Sequence, residues 1–224
     1  MTRKKEILRV KGEIKKTYSK LSKIYAILEG IFEKRLRARG LEYLAIQKCE
    51  TVLEIGFGTG CTLVEIAKSV GETGESYGID ITPEMVNLAE KRLKRERLTS
   101  RVELSEGDAK NMPYEDNMFN AVYMASVLEL FDTPDIPKVL QEIKRVLKPE
   151  GRIGIVSIPQ EGYENSIVLN LYEWLYRKFH KYATCRPIYV EDSLKEAGYK
   201  IIKTQVVLLA KLFPMKIVVA KSEL

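Results

Sequence analysis

Three glycines at alternating positions follow an apolar run in the first third of the chain. Residues 52–60 read Val-Leu-Glu-Ile-Gly-Phe-Gly-Thr-Gly, so Gly56, Gly58 and Gly60 lie between a predicted buried strand and a predicted helix. Glycines at such a junction permit a tight turn and let backbone N–H groups approach a ligand closely, beside the positive end of the helix. Cys61 stands where the nicotinamide-dinucleotide fingerprint G-x-G-x-x-G would have Gly or Ala, so the loop departs from that form.

Two carboxylates end the next two predicted strands. Asp80 lies 24 positions after Gly56, where a carboxylate can accept hydrogen bonds from both hydroxyls of a ribose. Asp108 precedes Ala109 after the third strand, and a carboxylate beside a backbone N–H can bind the donor–acceptor edge of adenine. The set predicts a nucleoside site. The structural alternatives stay open: glycines that only shape a turn, and carboxylates that only cap a helix or face solvent.

Short β-branched runs alternate with helical patterns along most of the chain. Such alternation predicts βαβ units and a parallel sheet that helices cover on both faces. The last two strands have a short connector, so we expect them to be antiparallel, because a parallel pair needs a crossover of about a dozen residues or more. Thr62 with Glu65 predicts a capping box, and Thr82 before Pro83 predicts a second helix start. The predicted strands are residues 51–55, 76–81, 101–105, 120–124, 152–158, 201–209 and 216–221.

We expect residues 1–224 to form a single domain, because no repeat, low-complexity run or linker divides the chain. Residues 1–48 are expected to be a helical N-terminal arm or lid, and residues 49–158 the ligand-binding core. Residues 159–187 are rich in aromatic side chains and follow the fifth strand, so we expect them to cap the crevice at the carboxyl ends of the strands. Residues 188–224 complete the domain with a helix and a β-hairpin.

The positive charge is concentrated in the N-terminal arm. The chain has a net charge of +6, and residues 1–40 contain thirteen Lys or Arg against four Glu. Two interpretations stay open: a helix that packs on the domain with its lysines in water, or a basic face that also binds anionic lipid or an acidic partner. No recognition motif accompanies the charge, so we expect no nucleic-acid partner. The apolar stripe of this predicted helix is Ile14, Tyr18, Leu21, Tyr25, Leu28 and Phe32.

The composition excludes several classes of protein. Hydrophobic residues at 45% and charged residues at 30% are typical of globular domains. No run approaches the ~18 apolar residues of a membrane-spanning helix, and the first residues do not resemble a secretory signal. Three cysteines cannot all pair and lack metal-site spacing, and His180 is the single histidine. We therefore expect no metal and a reducing, cytoplasmic setting.

The motifs resemble the class I S-adenosylmethionine-dependent methyltransferases. In order they read LEIGFGTG, GIDITPEM, GDA and RVLKPEG, from about residue 50 to residue 158. The segment with Tyr18 and Tyr25 and the phrase GDAKNMPYEDNMFNAVYM are similar to the branch that methylates ubiquinone and menaquinone precursors. That branch often has Asp after the second tyrosine, where this chain has Ala26. The resemblance implies an α/β fold with a Rossmann-like, mostly parallel seven-stranded sheet, whose last strand is antiparallel and lies between the fifth and sixth.

The resemblance also implies S-adenosylmethionine as the cofactor and S-adenosylhomocysteine as the product. Glu54 and the glycine loop would hold the amino-acid end of the cofactor, Asp80 the ribose, and Asp108 with its neighbour the adenine. Ile81 and Met85 would pack against the adenine, although Met85 could instead be ordinary core filling. The expected cofactor-binding residues are Glu54, Gly56, Gly58, Gly60, Asp80, Ile81, Met85, Asp108, Ala109, Met124, Ala125 and Ser126.

Methyl transfer from a sulfonium depends mainly on in-line positioning and exclusion of water, because the leaving group is already activated. If the acceptor is a phenol, enol or hydroquinone carbon, a base must also take an acceptor proton. His180 is the first candidate because its intrinsic pKa is ~6.5, with a surface or packing role as the alternative. The candidates for acceptor binding are Tyr18, Tyr25, Glu129, Tyr172, Trp174 and Tyr176.

We therefore predict methyl transfer to a small apolar acceptor, first a quinone-ring carbon and next a lipid amine or another isoprenoid molecule. Two other classes stay open: a nicotinamide-dependent oxidoreductase on the same sheet, and a cofactor-binding protein that no longer transfers methyl groups. An acceptor dissolved in a membrane would explain the basic arm, which could hold the enzyme at an anionic membrane surface.

Overall fold

The computed structural model describes residues 31–178, 185–209 and 213–222. Short helical turns of three residues lie at Thr99–Arg101, Leu128–Leu130 and Thr133–Asp135. The helices are α1 (Ile31–Leu44), α2 (Cys61–Ser69), α3 (Pro83–Arg95), α4 (Ile136–Val146), α5 (Ile167–Lys178) and α6 (Val190–Glu196). The strands are β1 (Thr51–Ile55), β2 (Glu75–Asp80), β3 (Val102–Glu106), β4 (Phe119–Ala125), β5 (Leu147–Ser157), β6 (Tyr199–Leu209) and β7 (Phe213–Ser222).

The seven strands form one sheet in the order β3-β2-β1-β4-β5-β7-β6. Strands β1 to β5 pair in parallel, and β7 is antiparallel to both β5 and β6. This confirms the expected fold class, including the antiparallel last strand between the fifth and sixth. The sheet places the carboxyl ends of β1, β2, β3 and β4 side by side at one edge, which we call the carboxyl edge.

Helices cover both faces of the sheet. Residues alternate in orientation along a strand, so Leu53 and Ile55 of β1 face one layer and Val52 faces the other. Leu53 and Ile55 belong to the buried cluster that contains the apolar stripe of α4. Val52 belongs to the cluster that contains Leu44 of α1. Helix α2 lies on the same face as α1, since its Ile66 is in the cluster of Leu44, and α3 packs against α2 in a third cluster.

The predicted capping box at the start of α2 is wrong. The helix begins at Cys61 with Gly60 as its N-cap, in the left-handed region at φ 76°, and no side chain caps it. Thr62 is buried one residue inside the helix, where a hydroxyl cannot serve as the N-cap. The second predicted start is confirmed in position, because Thr82 is the N-cap of α3 and Pro83 its first residue.

Helix α1 crosses the sheet, with its carboxyl end far from the carboxyl edge and its earlier residues closer to it. At its carboxyl end, the Leu44 carbonyl accepts a hydrogen bond of 2.6 Å from Arg152 Nε, near the start of the regular pairing of β5. Midway along the helix, Gly40 packs against Val156, at the far end of β5. The first residues of α1 therefore lie toward the carboxyl edge.

Candidate functional site

A pocket opens at the carboxyl edge, beside the start of α3. Its walls are mostly apolar, and its carboxylates come from the ends of β2 and β3 and from the segment after β4. In open α/β sheets this is the position where ligands bind. The lining residues are Ile55, Gly56, Gly58, Ile79, Asp80, Ile81, Thr82, Met85, Gly107, Asp108, Ala109, Ala125, Ser126, Val127, Leu130, Phe131, Asp132 and Asp135.

Asp80 joins the glycine loop to the start of α3. Its Oδ2 accepts a hydrogen bond of 3.0 Å from the Gly58 N–H, and its Oδ1 accepts one of 2.9 Å from the Thr82 N–H. Burial raises the pKa of Asp80, and the two N–H donors oppose that rise by stabilising the anion. Each carboxylate oxygen has a second lone pair, so the group can still accept a hydrogen bond from a ligand hydroxyl.

The glycine loop needs its glycines for both conformation and space. Gly56 has φ 67°, and a Cβ at this position would lie 2.4 Å from Val127 Cγ2. Gly60 has φ 76°, and a Cβ there would lie 2.9 Å from the Ala89 side chain of α3. The Gly56 N–H donates to the Ile79 carbonyl at 2.7 Å, which ties the loop to β2. The loop therefore brings its backbone against the pocket with no side chain in the way.

On one side of the pocket, Lys110 links two carboxylates, and one of them belongs to Asp108, an expected cofactor-binding residue. Asp108 Oδ1 accepts a hydrogen bond of 3.1 Å from the Lys110 N–H. Lys110 Nζ lies 2.7 Å from Asp135 Oδ2 and 3.8 Å from Asp108 Oδ2. The hydrogen bond from Lys110 lowers the pKa of Asp135, whose second partner is Lys138. Lys110 thus holds the loop after β3 against the segment after β4 and leaves Asp108 at the pocket wall.

Ile81 and Met85 both line the pocket, as expected for residues that pack on an adenine ring. Ile81 is 39% exposed and Met85 is buried in α3. Ala125 and Ser126 also line it, where β4 ends. Glu54, Gly60 and Met124 are not among the described lining residues: Met124 is fully buried in the core, and Glu54 is buried on the α1 face of β1. Their cofactor roles stay predictions.

Glu129 lies fully buried just after β4, in the turn Leu128–Leu130. Within the described ranges, neither of its carboxyl oxygens accepts a well-formed hydrogen bond. Burial raises the pKa of Glu129 to about 8, although the nearby backbone N–H groups of Glu129 and Ile158 and the charge of Arg186 favour the anion. The group is thus protonated at neutral pH, on the side of β4 that faces the end of β5.

Several expected acceptor-side residues lie outside what the structure describes. Tyr18, Tyr25 and His180 fall in the ranges without description. Tyr172 and Tyr176 are on α5 by backbone position, but their side chains are not described. Trp174 is on α5 and is 52% exposed. The acceptor roles of these residues stay predictions.

The sequence interpretation missed the segment after β4, which supplies Phe131, Asp132 and Asp135 to the pocket. A signal was present: Phe-Asp-Thr-Pro-Asp, residues 131–135, begins soon after the fourth strand, and residues after parallel strands meet at the carboxyl edge. It also missed Lys110, two residues after Asp108, which is held between the carboxylates of both loops.

The residues present fit the adenosine part of S-adenosylmethionine. A buried carboxylate at the end of β2 suits a ribose diol, and the apolar side chains of Ile79, Ile81 and Met85 suit the faces of a purine. Asp108, at the pocket wall, is an acceptor for an exocyclic amino group. This fit depends on hydrogen bonds and apolar contacts, so it requires no metal ion.

Comparisons with known proteins agree on one family, the methyltransferases. Residues 52–151 match the family model described as a methyltransferase domain. A demethylmenaquinone methyltransferase of Lactobacillus johnsonii is 32% identical over 156 residues, which are 70% of this chain and 62% of that protein. The chain therefore covers less than two thirds of that relative's length.

Two solved structures are similar over most of the chain. A SAM-dependent methyltransferase from Aquifex aeolicus is 26% identical with a TM-score of 0.63, covering 84% of this chain and 89% of that one. Magnesium protoporphyrin IX methyltransferase from Synechocystis has a TM-score of 0.74 and covers 95% of this chain and 100% of that one, at 13% identity, which is a likeness of fold alone. The family and the fold expected from the motifs are confirmed.

Proposed function

We infer the reaction from one premise: this chain belongs to the class I S-adenosylmethionine-dependent methyltransferases. We propose that it transfers a methyl group from S-adenosylmethionine to a small apolar acceptor, in the first place a quinone-type ring carbon. A lipid amine or another isoprenoid molecule is the second acceptor class. The observation that carries the proposal is the pocket at the carboxyl edge, where the buried Asp80 carboxylate lies beside apolar walls.

In this proposal the residues of the chain position the reactants and keep water out. When bound, S-adenosylmethionine supplies a methyl group on a positively charged sulfur, so no nucleophilic side chain is needed. Asp80 accepts hydrogen bonds from the ribose hydroxyls, and Ile81 and Met85 enclose the adenine. Fixing two reactants in line removes much of the entropic barrier of a bimolecular step.

The choice of a quinone-type acceptor has two supports. The relative described above is named for a demethylated menaquinone, a flat apolar molecule. The wall beside Ser126 is also apolar, with Val127, Leu130 and Phe131 between the sheet and the segment that follows. Such an acceptor resides in membranes, and three cysteines that form no disulfide suit a cytoplasmic enzyme that meets it there.

A ring carbon gives up a proton when it is methylated, so the proposal includes a proton acceptor on the acceptor side. Glu129 and His180 are the two candidates, and Glu129 is the one that the structure describes. Burial raises the pKa of Glu129 to about 8, so only its ionised minority at neutral pH could accept the proton, and that share grows as the pH rises toward 8. A proton-handling role predicts a kcat that depends on Glu129 while the KM for S-adenosylmethionine does not.

The test is methyl transfer by the purified full chain from methyl-tritiated S-adenosylmethionine to reduced demethylmenaquinone in detergent. We expect label in the organic phase. Asp80→Asn should weaken S-adenosylmethionine binding about 10- to 100-fold in calorimetry, because an amide places a donor beside the N–H groups of Gly58 and Thr82. Asp192→Asn, an exposed aspartate of α6, is the matched control and should bind normally.

Calorimetry also separates the rival classes. Binding of NADH with no heat from S-adenosylmethionine or S-adenosylhomocysteine would contradict the proposal and favour an oxidoreductase. Tight binding of S-adenosylhomocysteine with no label transferred to demethylmenaquinone or to a total lipid extract would indicate a cofactor-binding protein without transfer activity.

A further inference from the structure

Arg186 precedes a stretch of backbone that is fixed beside the carboxyl end of β5. The Ile188 N–H donates to the Ile158 carbonyl at 3.0 Å, and the Gln160 N–H donates to the Ile188 carbonyl at 2.9 Å. These bonds and the Pro159–Ile188 bridge join the two ends of the segment between β5 and α6. Ile188 is thus bound to the strand end, and Arg186 lies two residues before it.

The Arg186 guanidinium contacts the backbone of the pocket wall. Its Nη2 donates a hydrogen bond of 2.9 Å to the Phe131 carbonyl, and Phe131 lines the pocket. A guanidinium has several N–H donors in one plane, and the Phe131 carbonyl is the acceptor for this one among the described residues. The remaining N–H groups can therefore donate to a ligand oxygen beside the apolar wall.

The nearby Glu129 does not neutralise the charge of Arg186. Arg186 is close enough to favour the Glu129 anion, yet neither carboxyl oxygen of Glu129 has a hydrogen-bond partner in the part of the chain that the structure describes. Burial raises the pKa of Glu129 to about 8, so its carboxyl is mostly neutral at neutral pH. Arg186 therefore keeps its positive charge beside the pocket, available to an anionic group of a ligand.

The pocket leaves the β5 side of β4 open to an acceptor. Its described lining residues come from the ends of β1, β2 and β4 and from the segments after β2, β3 and β4, and none of them comes from the segment after β5. In the sheet, β4 lies between β1 and β5. A cofactor in the pocket therefore occupies one side of β4, and Arg186 lies on the other side, beside the end of β5.

Resting on the proposed function, we propose that Arg186 determines the chemical class of the acceptor by binding an oxygen of its ring as an oxyanion. The guanidinium is held at the pocket wall by the Phe131 carbonyl, and its charge is not neutralised by Glu129. Donors that are already in position when negative charge develops stabilise an oxyanion more strongly than water does. Arg186 is thus placed to bind an acceptor that lies between the pocket and β5.

Methylation of a ring carbon draws electrons from such an oxygen. Once the hydroxyl proton has passed to water, an electron pair of the oxyanion moves into the ring. The ring carbon then bonds to the methyl carbon as the methyl–sulfur bond breaks, with its electron pair left on sulfur, and the proton on that ring carbon passes to a base. A guanidinium stabilises the oxyanion but repels an ammonium, so the proposal selects acceptors of the phenol or hydroquinone type over lipid amines.

Ligand binding tests the proposal without methyl transfer. The full chain, with S-adenosylhomocysteine present, is titrated with 1-naphthol, a flat ring with one hydroxyl, and with naphthalene, the same ring without it. We expect 1-naphthol to bind about tenfold more tightly, because a charge-assisted hydrogen bond forms. Bound 1-naphthol should also show the absorbance of its anion below the pH at which the free molecule ionises. Binding in the neutral form only would overturn the proposal.

Substitutions of Arg186 separate its charge from a packing role. Arg186→Met should weaken 1-naphthol binding about tenfold or more and leave naphthalene binding within about twofold of wild type. Arg186→Lys keeps the charge and should restore part of the affinity and of the anion absorbance. Equal losses for the two ligands in Arg186→Met would show a packing role and overturn the proposal.

Arg101→Met is the matched control for the loss of an arginine. Arg101 Nη2 also donates to a backbone carbonyl, that of Ala67, at 2.7 Å. It lies just before β3, at the opposite end of that strand from the carboxyl edge, so this variant should bind both ligands normally. Circular dichroism of each variant checks that the fold is kept. Loss of 1-naphthol binding in Arg101→Met as large as in Arg186→Met would contradict a direct role of Arg186.

Methyl transfer to reduced demethylmenaquinone separates failure of this proposal from failure of the proposed function. Arg186→Met should lower kcat/KM for the acceptor about tenfold or more and leave the affinity for S-adenosylhomocysteine unchanged. Equal kcat/KM in wild type and Arg186→Met would overturn the role of Arg186 and leave the proposed function standing. No transfer by wild type would contradict the quinone-type acceptor, while the 1-naphthol titration would still decide whether Arg186 binds a ring oxyanion.

Discussion

Burial raises the pKa of two carboxyl groups near the pocket, Asp80 and Glu129, but their neighbours differ. Asp80 accepts two well-formed backbone hydrogen bonds, which favour the anion and suit an acceptor of ribose hydroxyls. Glu129 has no comparable donors among the described residues, and its proton is retained to about pH 8. Two acids that follow strands of the same sheet can thus have different tasks.

The pKa of Glu129 makes stability depend on pH. The folded protein keeps this proton up to about pH 8, whereas an unfolded glutamate releases it near pH 4.5. The native state binds more protons in that window, so the free energy of unfolding should fall as pH rises through it. Glu129→Gln should remove this part of the slope, by roughly 1 kcal/mol per pH unit. Urea unfolding at pH 5.5, 6.5 and 7.5 measures it.

The difference between wild type and variant isolates Glu129, because other groups titrate equally in both. Glu115→Gln, an exposed glutamate in the loop before β4, is the control and should leave the slope unchanged. If Glu129→Gln and wild type show parallel dependence on pH, the group is not protonated in the folded protein.

At the scale of single residues, the sequence predicted those pocket-lining residues that lie at or just after a strand end. Asp80, Asp108 and Ala109 were found because each ends a strand and the resemblance aligned them. Asp135 and Phe131 were missed because they come from a loop whose path depends on how it packs against the loop after β3. That path is fixed by the Lys110–Asp135 ion pair, which sequence spacing does not reveal.

Among the structural elements, the turn from β1 to α2 depends most sharply on residue type. Gly56 and Gly162 both have positive φ, at 67° and 77°. A Cβ on Gly56 would clash with Val127, whereas a Cβ on Gly162 has nothing within 4 Å. The pair separates the cost of the backbone conformation from the cost of the clash.

Gly56→Ala should therefore lower stability clearly more than Gly162→Ala. We expect about 1 kcal/mol for the strained conformation at Gly162, and at least about 2 kcal/mol more at Gly56, where Val127 must also move. Thermal unfolding of both variants measures the difference. Because Val127 lines the pocket, Gly56→Ala should also weaken S-adenosylmethionine binding. Equal losses in the two variants would show that the loop accommodates the Cβ freely.

Strand positions were predicted closely, while the ends of elements were not. The strand predicted over 152–158 begins earlier, at Leu147. Leu147 pairs with Phe119 of β4, and a register shift separates this pair from the regular pairing that starts at Ala121. The last strand begins at Phe213 rather than 216, since paired strands continue into their connector. The residue types at Thr62 matched a capping box, but the N-cap is Gly60, which starts the helix from a left-handed backbone conformation without a side-chain cap. The neighbours of β7 followed from the resemblance, and only its antiparallel direction followed from connector length.

In the molecule as a whole, Arg152 joins α1 to the sheet. Its guanidinium donates to both Glu50 oxygens at 2.8 Å and to the Leu44 and Ala45 carbonyls. Burial alone would raise the pKa of Glu50, but the hydrogen bonds from Arg152 and the Gln47 N–H outweigh it and lower that pKa. The pair is largely out of water, so removing one partner leaves the other buried without compensation.

Arg152→Met should cost about 3–5 kcal/mol of unfolding free energy at neutral pH, because Glu50 then stays buried as an unpaired charge. Lys221→Met is the comparison: Lys221 lies opposite Arg152 in the sheet and pairs with Glu150 in the open. Exposed pairs contribute about 0–1 kcal/mol. Guanidinium unfolding of the two variants measures both values. Equal costs would mean that the Glu50 pair is as hydrated as the exposed one.

Overall assembly was predicted for the part of the chain whose partners are sheet strands. Alternation of strands and helices defined the layers because each element buries one face against the next. The arm and the cap were not determined in this way.

The reversed direction of β7 has a practical consequence for anyone attaching this chain to a support. Ser222 pairs with Tyr199, at the end of the sheet opposite the ligand crevice. A linker fused beyond it would lead away from that crevice, so a protein tethered there would present its substrate entrance outward.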